Sequence, residues 1–472
     1  MQVNKNQESY SKALFLTIAI FFFWGFSAAA NILLIPLVKE TFQLSQLESQ
    51  LIEFSFYFAY FSGSFLYLLA NYKQWSILAS VSTKQILITG LLISALGTFA
   101  IVLVLPSGSY ILLLICLFSI SFGFSLQQIA ANPTLIKLGG KEGGAHRLTL
   151  AGALGSTGSA IAPLILGYFA FNQLQDGQAA SLSSLTPIYI ALAIGYLLFA
   201  YSYKVIDMPN LNLSKTAYVS VFELLNTSGF KFSMLALFCY VGGEVTLQSN
   251  LPALLKDADF LGISTQDTVK FISLFGGGLL IGRTTASVFN FPLRKMLLCL
   301  ALFVVPGITF VFVLVLNWFS GEEIQQLLGF TPFILALPLG LLLSKKDPRR
   351  ILLIASLSSV FFLLGAIIFN GYSAMFCILA VSLFSAVMWP CIFALSIEGL
   401  EQKTQLATAI LIMMIVGGAV VPLLQGSLAD ITWIGIQLSY IVPLFCFLIV
   451  GGYAFRHGAI EQYSNSKLAV TE

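Results

Sequence analysis

Apolar runs of roughly 20 residues recur along nearly the whole chain, separated by short polar gaps, and such runs predict helices that cross a membrane. They cover 12–38, 49–70, 85–105, 110–137, 147–171, 187–206, 231–255, 268–291, 295–317, 328–344, 350–370, 372–397, 404–428 and 433–455, which makes fourteen candidate spans. The run 328–344 is the shortest and is closed by Lys345, Lys346, Arg349 and Arg350. Long β-branched alternation does not occur, so a barrel is not indicated. The stretch 207–230 is polar, with an amphipathic part (Tyr218, Val219, Val221, Phe222, Leu224, Leu225) expected to lie on the inner membrane surface.

Charge orients these spans. Of 23 basic residues, only Lys39, Lys256 and Lys270 fall on the outer side if the N-terminus is inside. Retention of Lys and Arg on the cytoplasmic side then places both termini in the cytoplasm, and the even span count agrees. The run after Lys12, with Ser27-Ala28-Ala29-Ala30, imitates a signal peptide. It continues to Val38, longer than a signal core, so a first span is expected instead. With 58% hydrophobic and 9% charged residues, the chain is a polytopic membrane protein, and its net charge of +3 reflects inner loops rather than a nucleic-acid surface. The six cysteines stand singly in apolar runs and the two histidines lie far apart, which favours packing over a disulfide frame, a metal site or any bound cofactor.

An internal repeat divides the chain. Gly158-Ser159-Ala160-Ile161-Ala162-Pro163-Leu164-Ile165-Leu166-Gly167 returns as Gly417-Gly418-Ala419-Val420-Val421-Pro422-Leu423-Leu424-Gln425-Gly426, and Asn132-Pro133 upstream of the first corresponds to Trp389-Pro390 upstream of the second. Near-constant offsets in spans of one direction predict two parallel halves around a central pathway. The second half then holds two extra spans. The expected organisation is a six-helix half 12–206, a cytoplasmic linker 207–230, and a second half 231–456 that includes an inserted hairpin, 295–344, packed outside the twelve-helix core.

Two acids stand inside apolar runs, Glu53 and Glu244. An intramembrane carboxyl is costly, about 2.5–3.5 kcal/mol on insertion scales, and persists mainly where it faces a cavity or a partner. Both are candidates for coupling to a cation. Glu53, near the end of its run, has the alternative of snorkelling to the outer interface; Glu244, deeper, has that of a structural ion pair with an arginine. The amides Asn31, Gln128, Asn132, Gln248, Asn250 and Gln425 suit binding of a polar solute, since amides donate and accept at once, or they join helices. Trp389 is a candidate for stacking on the flat face of a solute, or for packing. Arg147 and Arg283, at cytoplasmic span ends, fit an inner gate better than substrate contact.

Several elements resemble one family: Phe23-Trp24-Gly25-Phe26, Asn31 and Pro36, Gln50-Leu51-Ile52, Ala59-Tyr60-Phe61, Leu126 to Pro133, Arg147 to Ala151, Tyr240 to Val245, Gly282-Arg283, Met388 to Leu400, and Met414 to Gly426. Together they resemble the fucose–proton symporter family of the major facilitator superfamily, and within it the glucose/galactose branch. The resemblance implies an all-α major facilitator fold of two six-helix halves, here with the hairpin and fourteen transmembrane helices, and sugar uptake coupled to a cation. It also marks departures. The family's coupling aspartate after the first-span asparagine is Ile32, a second family acid is Gln128, and two fifth-span amides are Gly152 and Gly155. Glu53 stands where the family tends to have glutamine, and is expected to replace the missing acid.

The expectation is a secondary transporter, not an enzyme, that imports a small polyhydroxylated solute with a proton or sodium through a bacterial inner membrane. Its partners are that solute, a coupling cation and lipid, and no nucleic acid. The alternatives are an uncoupled facilitator, which Ile32 favours, and an exporter of lipophilic cations or drugs. Phe275-Gly276-Gly277-Gly278 lacks a following Lys-Ser/Thr, so ATP hydrolysis is unsupported.

Overall fold

The computed structural model describes residues 2–72, 81–137, 144–171, 182–206, 208, 221–226, 229–289, 291, 293–398, 400 and 403–470. Among them there is no strand. A backbone in hydrocarbon must satisfy its own hydrogen bonds, and the helix does so within one segment. Thirteen helices of the described residues are long and apolar enough to cross a membrane. Leu51–Tyr72 makes the fourteenth: its 22 residues reach far enough, at about 1.5 Å each, although Glu53 and several tyrosines and serines make it less apolar.

In chain order these are α1 (Gln2–Phe42), α2 (Leu51–Tyr72), α3 (Thr83–Val104), α4 (Tyr110–Lys137), α5 (Gly144–Phe171), α6 (Thr186–Val205), α7 (Phe230–Lys256), α8 (Thr265–Phe289), α9 (Lys295–Phe319), α10 (Gln325–Ser344), α11 (Pro348–Ile368), α12 (Gly371–Ile397), α13 (Leu406–Ala429) and α14 (Ile441–Val470). Local chemistry sets several ends. Ser82 and Gln85 close a capping box on α3. Asp347 caps α11, accepting from the Arg349 backbone N–H at 2.9 Å, with Pro348 in the first turn. Partial burial raises the Asp347 carboxyl's pKa, but bonds and charge from Arg349 and Arg350 outweigh it and hold the group below its ordinary value.

The span expected at 328–344 starts earlier, at Gln325, and is not one regular helix: a 3-10 stretch Gln325–Phe330 leads into Thr331–Ile334 and Ala336–Ser344. Pro332 and Pro338 remove backbone donors there, which favours the break. Tyr218 and Val219 of the amphipathic stretch lie outside the described residues, as do the side chains of Val221 and Phe222. Leu224 is fully buried in the fold rather than laid on a membrane surface, and neighbouring Glu223 pairs with Lys403.

The two halves repeat one packing scheme. A Cβ on Gly158 would lie 2.3 Å from the Phe22 carbonyl oxygen, and one on Gly417 would lie 2.0 Å from that of Phe238. Corresponding glycines thus let α5 press on α1 and α13 press on α7. Helix α3 packs against α4 and α6, as α11 does against α12 and α14. That pairing leaves α9 and α10 as the extra hairpin. Helix α9 is attached to α8 by Val313 against Gly277, by Asn317 donating to Ser273 Oγ at 3.2 Å, and by the Thr284 and Thr309 hydroxyls at 3.2 Å. Its other face, with Leu300, Ile308 and Val311, is exposed and apolar, as a lipid-facing helix requires. Between the halves, α5 meets α8 at Ser273, whose hydroxyl donates to the Ala160 carbonyl at 2.8 Å, and α2 meets α13 where the Tyr57 ring lies under Gly418.

Candidate functional site

A cavity of about 240 Å³ lies between the halves, lined from α1, α2, α4, α5, α7, α8, α12 and α13. Ligand pockets typically span about 300–1,000 Å³, so this one suits a single small solute. One wall is a stripe on α7: Tyr240, Glu244 and Gln248 follow one another at i, i+4 and i+8, which brings them to one face. The Tyr240 hydroxyl donates to Glu244 Oε2 at 2.7 Å. Arg283 of α8 stands in the same wall, its Nη1 donating to the Gly152 carbonyl at 2.8 Å and to Ser156 Oγ at 2.7 Å.

The facing wall comes from the first half. Gln128 donates to the Tyr60 hydroxyl at 3.3 Å, and Asn132 lines the cavity with its side-chain oxygen buried and without a protein partner. Tyr57 and Tyr60 stack with centroids 6.0 Å apart, and Trp389 tilts against Tyr240 at 6.2 Å. The cavity thus combines amides and hydroxyls, which donate and accept hydrogen bonds, with aromatic faces that offer apolar contact.

The residues expected from the sequence divide into groups. Gln128, Asn132, Glu244, Gln248 and Trp389 line the cavity. Arg283 lines it too, so its position is that of a wall residue and not of a rim. Arg147 is elsewhere, with Nε donating to the Leu135 carbonyl at 2.7 Å. Asn31 borders a separate, very small cavity with Tyr189 inside the first half. Asn250 and Gln425 lie off the cavity, joined to each other at 3.4 Å and, through Asn250, to Gln46 at 2.7 Å.

Glu53 does not reach the cavity surface. It is 1% exposed and its Oε1 has no hydrogen-bond partner, and Gln50, one turn before it, is fully buried with both side-chain polar atoms unpartnered. Snorkelling to the interface is therefore not what this side chain does. Among the described residues no basic group pairs with it.

The two fifth-span glycines differ. A Cβ at Gly152 would have the Arg283 side chain as its nearest neighbour, at 3.5 Å, an ordinary contact on the cavity side. One at Gly155 would stand 3.1 Å from the Phe21 backbone oxygen, and one at Gly25 only 1.9 Å from the Gly155 oxygen. Gly155 thus serves close approach of α1 and α5. Residues not proposed for the site from the sequence, above all Tyr57, Tyr240 and Thr149, also line the cavity. Tyrosine recurring in apolar spans was the available signal, because its hydroxyl needs a partner there.

No family model matches the chain. The glucose/galactose transporter of Brucella abortus (biovar 1, strain 9-941) is 28% identical over 457 residues, covering 95% of this chain and 94% of that protein. The L-fucose-proton symporter of Escherichia coli (strain K12) is 24% identical over 467 residues, covering 94% and 92%. Among solved structures, the major facilitator superfamily transporter FucP in its outward conformation matches with TM-score 0.65 at 22% identity, over 95% of this chain and 99% of that one. A bacterial homologue of the human lysosomal transporter Spinster, inward-facing and occupied, matches with TM-score 0.59 at 13% identity, over 95% and 97%. The likeness to the two structures shows the fold.

Proposed function

We propose that this chain, which has the major facilitator fold and resembles the glucose/galactose branch of the fucose–proton symporter family, is a secondary active transporter that imports a small sugar or sugar derivative together with a proton or sodium. The observation that carries this reading is the cavity between two repeated halves, lined by amides, tyrosines and one carboxylate. Rocking of the halves around such a site alternates its access. The relatives' names, transporters of glucose and galactose and a symporter of L-fucose with protons, support a sugar as solute and a proton as its companion. In this reading the chain carries out no chemical reaction; it resides in a bacterial inner membrane with both termini cytoplasmic, and its units are 12–206, the linker 207–230, and 231–456 with the hairpin 295–344.

Coupling is assigned to Glu53 and substrate contact to Glu244, Gln128, Asn132, Gln248 and Trp389. Glu53 supports its role by burial without a cation partner. An ionised carboxylate in such a place is costly, and a bound proton or cation removes the charge. Asn31, Asn250 and Gln425, which bond or pack away from the cavity, are assigned to the scaffold. Arg283 is assigned to the cavity wall and Arg147 to the closure of the opposite side. The small volume speaks against an exporter of bulky drugs. Ile32 keeps one rival in play, the uncoupled facilitator.

Uptake of labelled glucose, galactose and N-acetylated hexosamine into vesicles, with an imposed proton gradient, a sodium gradient or neither, tests the reading. Accumulation above the outside concentration under one gradient is expected. Equilibration without accumulation under every gradient establishes the facilitator instead.

A further inference from the structure

We propose that Asp430 is a latch that holds the outer face shut and thereby covers Gln50 and Glu53; the proposal rests on the alternating-access reading above. The contact begins with a short helix, Gln46–Ser49, in the loop between α1 and α2. The first backbone N–H groups of a helix have no partner inside it. Here Ser45 satisfies one, accepting from the Glu48 N–H at 3.1 Å, while Gln46 and Leu47 remain. Asp430, at the end of α13 in the other half, takes both: Oδ1 accepts from the Gln46 N–H and Oδ2 from the Leu47 N–H, each at 2.9 Å. One carboxylate thus clasps two backbone donors of the opposite half, and the bonds are charge-assisted.

The surroundings are built for that clasp. A Cβ on Gly426 would fall 3.1 Å from the Leu47 Cα and 3.2 Å from the Gln46 oxygen, so a side chain there would push α13 back by a few tenths of an ångström. Below it, Gln46 accepts from Lys39 at 2.7 Å and donates to Asn250 at 2.7 Å, and Asn250 passes the chain on to Gln425 and Ser439. Beside it, Glu40 of α1 bonds Lys256 and Thr265 of the second half. Directly after the clasped segment come Gln50 and Glu53, at 0% and 1% exposure, with unpartnered polar atoms. Buried polar atoms of this kind call for an explanation. Opening the clasp admits water or a cation to them from the outer side, and closing it seals them in.

The test places a cysteine at Gln50, with the six native cysteines replaced, and measures its labelling in intact cells by a membrane-impermeant maleimide. Asp430→Ala removes both acceptors and should speed labelling about tenfold or more. Asp430→Asn keeps one acceptor, should fall between, and serves if the alanine variant is poorly inserted. Per molecule in the membrane, turnover should fall while the external KM for sugar holds or drops, because the outward-open state gains population. A merely structural residue would lower the amount of protein and leave both constants alone. Labelling of both variants at the parent rate overturns the latch even where the parent accumulates sugar. Faster labelling in a parent that accumulates nothing keeps the latch and removes the transport reading instead.

Discussion

At the scale of single residues, Glu244 and the glycine pair give separable outcomes. Glu244 Oε2 accepts from Tyr240, and an amide oxygen can accept the same bond. Glu244→Gln should therefore keep sugar binding within about threefold, whereas Glu244→Ala strands the tyrosine hydroxyl and should weaken it by about tenfold, in line with roughly 1–2 kcal/mol for a buried unmade bond. Equilibrium binding of labelled sugar checks both; equal loss in the two variants would assign Glu244 to a cation instead. Gly152→Gln is expected to insert normally and to move preference toward an unsubstituted hexose, since its side chain enters the cavity beside Arg283. Gly155→Asn is expected to lose membrane-inserted protein, because its Cβ is driven toward the Phe21 carbonyl. Competition binding for the first and quantified folded protein in detergent for the second decide the matter.

At the scale of elements, the hairpin α9–α10 is the distinctive addition. Its hydrogen bonds to α8 are few, and interhelical bonds in membranes average only about 0.6 kcal/mol each, so side-chain packing such as Val313 on Gly277 holds it in place. The loop 320–324 carries Glu322 and Glu323 and no basic residue, while Arg294, Lys295, Lys345 and Lys346 flank the far ends. A phosphatase fused at Gln325 should be active and one fused at Lys467 silent. Silence at Gln325 would mean that the hairpin does not cross. The broken course of α10 does not alter this expectation, since the backbone within it still bonds locally.

At the scale of the molecule, the halves touch tightly on the Asp430 face while the cavity extends the other way, to Leu148 and Thr149 near the start of α5. A transporter alternates between this arrangement and its opposite. Glu53 lies just inside the closed face and in the closed state meets no solvent. Glu53→Gln should abolish gradient-driven accumulation and leave sugar exchange across the membrane intact, because exchange needs no net movement of a proton. Vesicle counterflow against vesicle accumulation separates the two; undiminished accumulation would move coupling to sodium elsewhere or to none.

How much of this was legible beforehand follows from the range over which each signal acts. Hydropathy and basic-residue bias act locally along the chain, so the sequence alone determined the membrane class, the spans within a few residues and the duplicated Gly-Pro segment, whose first glycines Gly158 and Gly417 do perform the same packing. The hairpin was legible as a surplus of two spans. Only the tertiary structure decided which polar residues meet. Gln46 and Asp430 are 384 positions apart and Asn250 and Gln425 are 175 apart, and no local period couples such pairs. Gly152 and Gly155, less than one turn apart, look alike in the sequence and both border the cavity, yet a Cβ on the first would make ordinary contact with Arg283 whereas one on the second would press on the backbone of α1. The facing helix, not the residue, sets that difference, and Arg283 belongs to the cavity wall for the same reason: α8 packs against α5, and the arginine side chain there bonds the Gly152 carbonyl.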